Sequence, residues 1–258
     1  MKKANEPFIQ VKNLSIAYGD NLVVRDLNFT INRGDVFVIM GMSGCGKSTV
    51  MRSIIGLVRP SAGHILINGM DLWALSESER SKIIETFGIS YQSGALFSSM
   101  TIYENVALPL EMKTDIPTSE IKKRVEEKLK LVGLSGFGDF YPNEISGGMI
   151  KRTALARAMI TNPHILFFDE PASGLDPLRT KLLDDLISDI SKKTGTTVVM
   201  VTHELDSVMT IATNSVFIDY ETKTVTGGGN PKTLLRTTKD DNILAFLTRD
   251  KTHIGGKK

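Results

Sequence analysis

Gly41-Met42-Ser43-Gly44-Cys45-Gly46-Lys47-Ser48-Thr49 fits the spacing G-x-x-x-x-G-K-[ST]. Glycines at these positions let the backbone curl, so that successive N–H groups point at phosphate oxygens. A helix opening directly after the loop adds its positive N-terminal end. Lys47 is then placed to reach the β- and γ-phosphates, and the Ser48 hydroxyl to ligate Mg²⁺. Cys45 lies inside the loop and reads as a small filler, not a redox centre.

A second group of residues suits the same chemistry. Ile165-Leu166-Phe167-Phe168-Asp169-Glu170 ends a short apolar run in two carboxylates. In open α/β sheets that is the strand end where ligands bind. Asp169 is suited to holding Mg²⁺ through water, and Glu170 to polarising an attacking water as general base. A third group is Ser146-Gly147-Gly148, placed before a helical run that extends through Ile160. A serine and two glycines at a helix N-terminus make another anion site. The chain thus carries two phosphate-binding elements, which need not serve the same nucleotide.

The elements positioning these groups are legible in part. Phe8 to Tyr18 and Leu22 to Ile31 alternate apolar and polar residues and predict strands, with Asn32-Arg33-Gly34 as a turn. DVFVIM (35–40), ILFF (165–168) and TVVMV (197–201) are short apolar runs that predict buried strands. Lys47 to Gly56 predicts a helix, and Leu178 to Lys193 a crossover helix carrying Leu182, Leu183, Leu186, Ile187 and Ile190. Right-handed crossovers of this kind build a mostly parallel sheet covered by helices. Residues 93–160 predict a helical lobe, with Ile121, Val125, Leu129 and Val132 as one apolar stripe and KKRVEEKLK as its solvated face. Val216 to Val225 predicts a hairpin, and Ile243 to Leu247 a short apolar segment beyond Gly227-Gly228-Gly229. The tail THIGGKK is expected to be disordered.

The 258 residues suffice for one domain with an inserted lobe. Apolar residues at 41% and charged residues at 23% set a globular default. A formal net charge of +2 argues against a broad nucleic-acid-binding field. A single cysteine excludes an intrachain disulfide and suits a reducing compartment. MKKANEPFIQ has no apolar run after its lysines and does not read as a secretory signal. No stretch approaches the roughly 18 apolar residues of a spanning helix, so any membrane served is crossed by another chain.

Taken in order, the motifs closely resemble the ABC ATPase family over nearly the whole chain. Gln92 sits where that family has its Q-loop glutamine, and Ile145 to Met149 resembles the signature LSGGQ. Ser173-Gly174-Leu175-Asp176 resembles the D-loop, and His203 matches the switch histidine. Tyr18 is placed like the aromatic that stacks on adenine. His64, His164 and His253 match no motif and read as surface or packing residues.

The resemblance implies an α/β fold of the P-loop NTPase (RecA-like) type with an inserted helical subdomain. The ATPase domain would span 1–229, with its core in 6–92 and 161–229 and the helical part in 93–160. Residues 230–258 would form a C-terminal extension with a short helix. ATP and Mg²⁺ are the implied ligands. Gly41, Ser43, Gly44, Cys45, Gly46, Lys47, Ser48 and Thr49 would bind nucleotide, and Ser48, Gln92 and Asp169 would hold the metal. Glu170, His203 and Gln92 would form the catalytic set.

The implied assembly is a head-to-tail homodimer in which Ser146, Gly147 and Gly148 act in trans on the ATP of the other chain. Integral membrane permease subunits are the expected partners, with no nucleic acid. Two positions depart from the usual signature, Ile145 for leucine and Met149 for glutamine. With YQSGALFSSMTIYENVALPL, the Met form resembles the subfamily that energises Mla/Mce-type phospholipid trafficking at the bacterial inner membrane. That subfamily implies a periplasmic or membrane-anchored lipid-binding subunit and a small regulatory subunit. Motors for amino acids, metals or lipoproteins share the same chemistry. Non-transport ABC proteins acting on DNA or ribosomes usually carry a long coiled coil or tandem cassettes, and this chain has neither.

Overall fold

A computed structural model describes residues 7–113 and 115–249. The expectations for the extreme N-terminus, the tail 252–258 and His253 lie outside the described residues. Twelve-residue strands β1 (Pro7–Tyr18) and β2 (Asn21–Asn32) pair antiparallel through a tight turn. β3 (Val36–Met40) leads into the phosphate loop and helix α1 (Lys47–Ile54), which ends two residues short of the sequence expectation. The chain then forms β4 (Ala62–Ile67), β5 (Met70–Asp71), α2 (Glu77–Ile84) and β6 (Phe87–Ser90).

The segment expected to be helical throughout holds α3 (Ile102–Lys113), α4 (Thr118–Leu131) and α5 (Gly147–Met159), joined by irregular loops. β7 (Ile165–Asp169), α6 (Pro177–Thr194), β8 (Thr197–Val201), α7 (Leu205–Ile211) and the hairpin strands β9 (Asn214–Ile218) and β10 (Val225–Gly228) follow. Two short helices, α8 (Pro231–Thr237) and α9 (Asp241–Thr248), finish the described chain.

The strands form two sheets. One has six strands in the order β10-β9-β3-β8-β7-β6, all parallel except β10. The other is a four-stranded antiparallel sheet, β2-β1-β4-β5, which the sequence patterns did not foretell. The mostly parallel sheet that was expected is therefore one of two.

Side-chain alternation along the central strands divides the interior into two cores. Val36, Val38, Met40, Leu166, Phe168, Val198 and Met200 face the helical side with α3 to α6. Phe37, Ile39, Ile165, Phe167, Val199 and Val201 face α1 and the antiparallel sheet. Burial on both faces explains why these strands read as unbroken apolar runs. On α4, Ile121, Val125 and Leu129 are buried, while most of the charges around them lie in solvent.

α6 begins with the Asp176 carboxylate accepting from the Arg179 N–H and with Pro177 in its first turn. It ends at Gly195, whose φ of 67° meets the left-handed requirement of a helix stop. The C-terminal segment is anchored by Phe246 on Phe217, with ring centroids 5.4 Å apart, and by Asn242 Nδ2 donating to Asp219 at 2.8 Å. Among the described residues no helix is long and apolar enough to cross a membrane.

Candidate functional site

Four adjacent strands, β3, β8, β7 and β6, run parallel and end on one edge of the sheet. From those ends issue the phosphate loop, His203, Asp169-Glu170 and Gln92. Neighbouring parallel strand ends are where an open α/β sheet can converge loops on one ligand.

The loop geometry depends on glycine. Gly41 has φ 150°, and a Cβ there would meet Ile218 O at 2.5 Å and Cys45 Sγ at 2.8 Å. Gly46 has φ 99°, and its Cβ would meet Val24 Cγ1 at 2.7 Å. The loop is thus pressed against β9 at Gly41 and against β2 at Gly46, with no room for a side chain at either position. Lys47 is buried, and its Nζ donates to the carbonyls of Gly41 at 3.0 Å and Met42 at 2.9 Å. These bonds hold the ammonium inside the loop's curl. Burial pushes the Cys45 thiol above its ordinary pKa, with Lys47 opposing, so Cys45 stays a neutral thiol packed in the core.

Glu170 is the first residue after β7 and adopts φ 49°, a left-handed conformation costing a non-glycine residue about 1 kcal/mol. Two backbone bonds hold it there: its N–H donates to Val201 O at 2.9 Å, and its carbonyl accepts from Ser173 N at 3.2 Å. Strain maintained by its surroundings is a mark of functional positions. Glu170 Oε1 lies 2.8 Å from His203 Nδ1, while Oε2 is buried without a hydrogen-bond partner among the described residues. That oxygen keeps its acceptor capacity for a water proton.

Ser48 Oγ donates to Asp169 Oδ1 at 2.8 Å. A hydroxyl beside a carboxylate offers the hard oxygen donors that Mg²⁺ takes. The Ser48 hydroxyl and the Asp169 carboxylate, side by side, fit Mg²⁺ as protein donors. Gln92 is exposed, and its Nε2 donates to Ser173 Oγ at 3.1 Å, leaving Oε1 as the amide atom suited to a cation.

One cleft of about 350 Å³ collects Ser43, Gly44, Gly46, Lys47, Ser48, Thr49, Gln92, Glu170 and His203, with Val23 of β2. Tyr18 is half exposed at the end of β1, outside that lining. Ser146, Gly147 and Gly148 also lie apart from it. Ser146 caps α5 by accepting from Met149 N at 3.4 Å. Ser146 and Gly148 line a separate cleft of about 430 Å³ against α6. The Ser146 cap and the loop at Gly41 to Thr49 therefore line different clefts of one chain.

Two supporting residues, Lys151 and Asn105, carried no signal in the sequence, and Ser173 was marked there only as part of the D-loop resemblance. Ser173 receives the Gln92 amide, and Lys151 of α5 donates to the Gln92 carbonyl. Asn105 is fully buried and ties down the loop after Gln92. It accepts from Phe97 N at 2.8 Å and donates to the carbonyls of Phe97, Met100 and Thr101. The apolar run of that loop is split: Gly94 is buried and Leu96 half-buried, while Phe97 is 53% exposed. His64 pairs with Asp71 at 2.6 Å on the surface, and His164 is exposed, away from the cleft.

Strand-end loop, acidic pair, histidine and separate helix-capping serine together define a nucleotide-hydrolysing cassette. The chain belongs to the ABC transporter family, whose model matches residues 24–173. It is an ATP-driven motor subunit of an ABC transporter, an ATPase converting ATP and water to ADP and phosphate.

The chain is 42% identical over 239 residues to the probable ribonucleotide transport ATP-binding protein mkl of Mycobacterium leprae, covering 93% of this chain and 68% of that protein. It covers 66% of the protein of the same name in Mycobacterium tuberculosis, and so spans about two thirds of such relatives. It is 35% identical over 243 residues to the intermembrane phospholipid transport system ATP-binding protein MlaF of Haemophilus influenzae, covering 94% and 91% of the two chains. The methionine import ATP-binding protein MetN of Photorhabdus laumondii is 42% identical over 186 residues, covering 72% and 54%. Among solved structures, the dimeric bacterial ABC transporter cassette MJ0796 superposes with a TM-score of 0.78 at 31% identity, covering 86% and 98%. The expected cassette fold is thereby confirmed.

Proposed function

We propose that this motor drives phospholipid movement between the inner membrane and a periplasmic carrier, as half of a head-to-tail ATP sandwich. The observation supporting the sandwich is the separation of the Ser146 cap from the cleft holding Lys47 and Glu170. A helix N-terminus that cannot reach its own nucleotide is suited to another chain's.

In this reading, the loop N–H groups and Lys47 hold the ATP phosphates and neutralise their charge. Ser48, Asp169 and the Gln92 amide oxygen would hold Mg²⁺, which supplies further neutralisation of phosphate charge. Glu170 Oε2 accepts a proton from the attacking water as the water oxygen bonds to the γ-phosphorus. The bond to the bridging oxygen breaks, and ADP and phosphate leave. His203 keeps Glu170 oriented through Oε1. Tyr18, half exposed at the end of β1, would stack on adenine.

Lys47→Ala tests the nucleotide assignment. Titration should show productive ATP binding abolished, and unchanged turnover would refute it.

The phospholipid reading is supported by the MlaF match, 35% identical over 243 residues. The Met149 signature and the stretch after Gln92 point the same way. The location this implies is the cytoplasmic face of the inner membrane, held by permease subunits. A periplasmic or membrane-anchored lipid-binding subunit and a small regulatory subunit complete the proposed assembly. Deleting the gene in its native host should weaken the outer-membrane barrier and alter phospholipid distribution. Normal lipids with defective amino-acid or metal uptake would replace this cargo by another and leave the motor intact.

A further inference from the structure

The segment after β6 lies flat along α5. Gly94 approaches so closely that a Cβ there would meet Ile150 Cγ2 at 3.0 Å and Ala154 Cβ at 3.5 Å. Two cations of α5 fasten its ends. Arg157 donates to Gly94 O at 2.6 Å and Ala95 O at 2.8 Å, and Lys151 donates to the Gln92 carbonyl. Burial lowers the pKa of both cations from the ordinary range. The charge of Glu170 opposes that shift at Lys151. Five residues before Lys151, Ser146 caps the same helix. Lys151 therefore stands between a group suited to another chain's nucleotide and the Gln92 and Glu170 of its own cleft.

We infer that Lys151 is a positioning residue for hydrolysis, locking the Gln92 backbone to the helix that carries Ser146. The inference rests on the site roles proposed above. A helix moves as a rigid rod over a few turns, so α5 cannot press its N-terminus onto a partner's ATP without displacing Lys151. The bonded Gln92 carbonyl follows, and with it the amide held by Ser173. Closure over one ATP is thereby conveyed to the residues attending the other. Arg157 anchors the segment further along and leaves the Gln92 carbonyl itself to Lys151. An ammonium suits this position because it is a donor only, and a charged donor bonds a carbonyl more strongly than a neutral amide does.

The test compares Lys151→Met, Lys151→Gln and Lys151→Arg in the full-length chain, beside Glu170→Gln. Lys151→Met should lower kcat at least tenfold, leave the ATP dissociation constant within about twofold and leave the melting temperature nearly unchanged. Amide hydrogen exchange at 93–95 should quicken in that variant while exchange in the phosphate loop stays as in the wild type. Lys151→Arg should restore kcat to within about threefold, and Lys151→Gln should fall between. Should Lys151→Met destabilise the fold, Lys151→Gln carries the same comparison. Full activity in Lys151→Met, or no rescue by arginine, overturns the inference. A Glu170→Gln chain hydrolysing at the wild-type rate would instead overturn the site reading. An inactive Glu170→Gln beside a fully active Lys151→Met would sink this inference alone.

Discussion

His203 Nδ1 lies 2.8 Å from Glu170 Oε1, joining the loop after β8 to the end of β7. The carboxylate's other oxygen is buried and without a partner among the described residues. In the proposed mechanism one oxygen takes its orientation from His203 and the other serves as the base. Glu170→Gln should therefore keep ATP binding and slow hydrolysis by about 10²-fold or more, the usual range for a lost general base. His203→Ala should slow it less, because the base remains but loses its orientation. Steady-state phosphate release measures both, and hydrolysis by Glu170→Gln within about tenfold of the wild type would remove it as the principal base.

Asp184 of α6 makes a prediction about stability. It is 2% exposed, and its Oδ1 has no hydrogen-bond partner among the described residues. Burial raises its pKa from 3.8 to about 6, helped by the charges of Asp185, Glu204 and Asp206. Ser207 of α7 offsets only part of this, since its Oγ lies outside hydrogen-bonding geometry. The folded pKa exceeds the unfolded one. The contribution is therefore fully present below the unfolded value and is lost as pH rises through about 6. Above that, holding the charge costs up to about 3 kcal/mol. Asp184→Asn should raise the melting temperature at pH 8 by on the order of 5 °C, with the gain shrinking towards pH 5. Scanning calorimetry at the two pH values checks this, and a pH-independent difference would contradict it.

Phe97 is 53% exposed on a loop held from beneath by Asn105. An apolar ring presented on a fixed loop suits docking of a permease helix. Phe97→Asp should fold normally, retain ATPase activity as the isolated chain, and bind solubilised permease at least tenfold more weakly. Undiminished permease binding by the folded variant would count against the docking role.

The sequence disclosed whatever local chemistry determines. Gly41 to Thr49 is legible because only glycine fits the positive φ values and close approaches at 41 and 46. β3, β7 and β8 are legible because burial on both faces forces unbroken apolar runs, and α6 because Leu183, Leu186, Ile187 and Ile190 recur at helical spacing. The antiparallel sheet was not, because the pairing of Ile9 with Ile67 depends on chain closure over a long loop. β6 reads as FGIS, too short and glycine-broken to signal a strand. Lys151 and Asn105 look like ordinary helix residues. Only the fold brings the first to Gln92, 59 positions away, and buries the second beneath a loop.

The central claim is that Ser146 serves the nucleotide of a second chain, and sizing by light scattering tests it most directly. With saturating ATP and Mg²⁺, Glu170→Gln should run at twice the mass of one chain. The double variant Glu170→Gln/Ser146→Arg should bind ATP with similar affinity, since its own cleft is untouched, yet remain at the mass of one chain. A double variant that dimerises as readily as Glu170→Gln, or a Glu170→Gln chain that binds ATP and stays monomeric, would contradict the account.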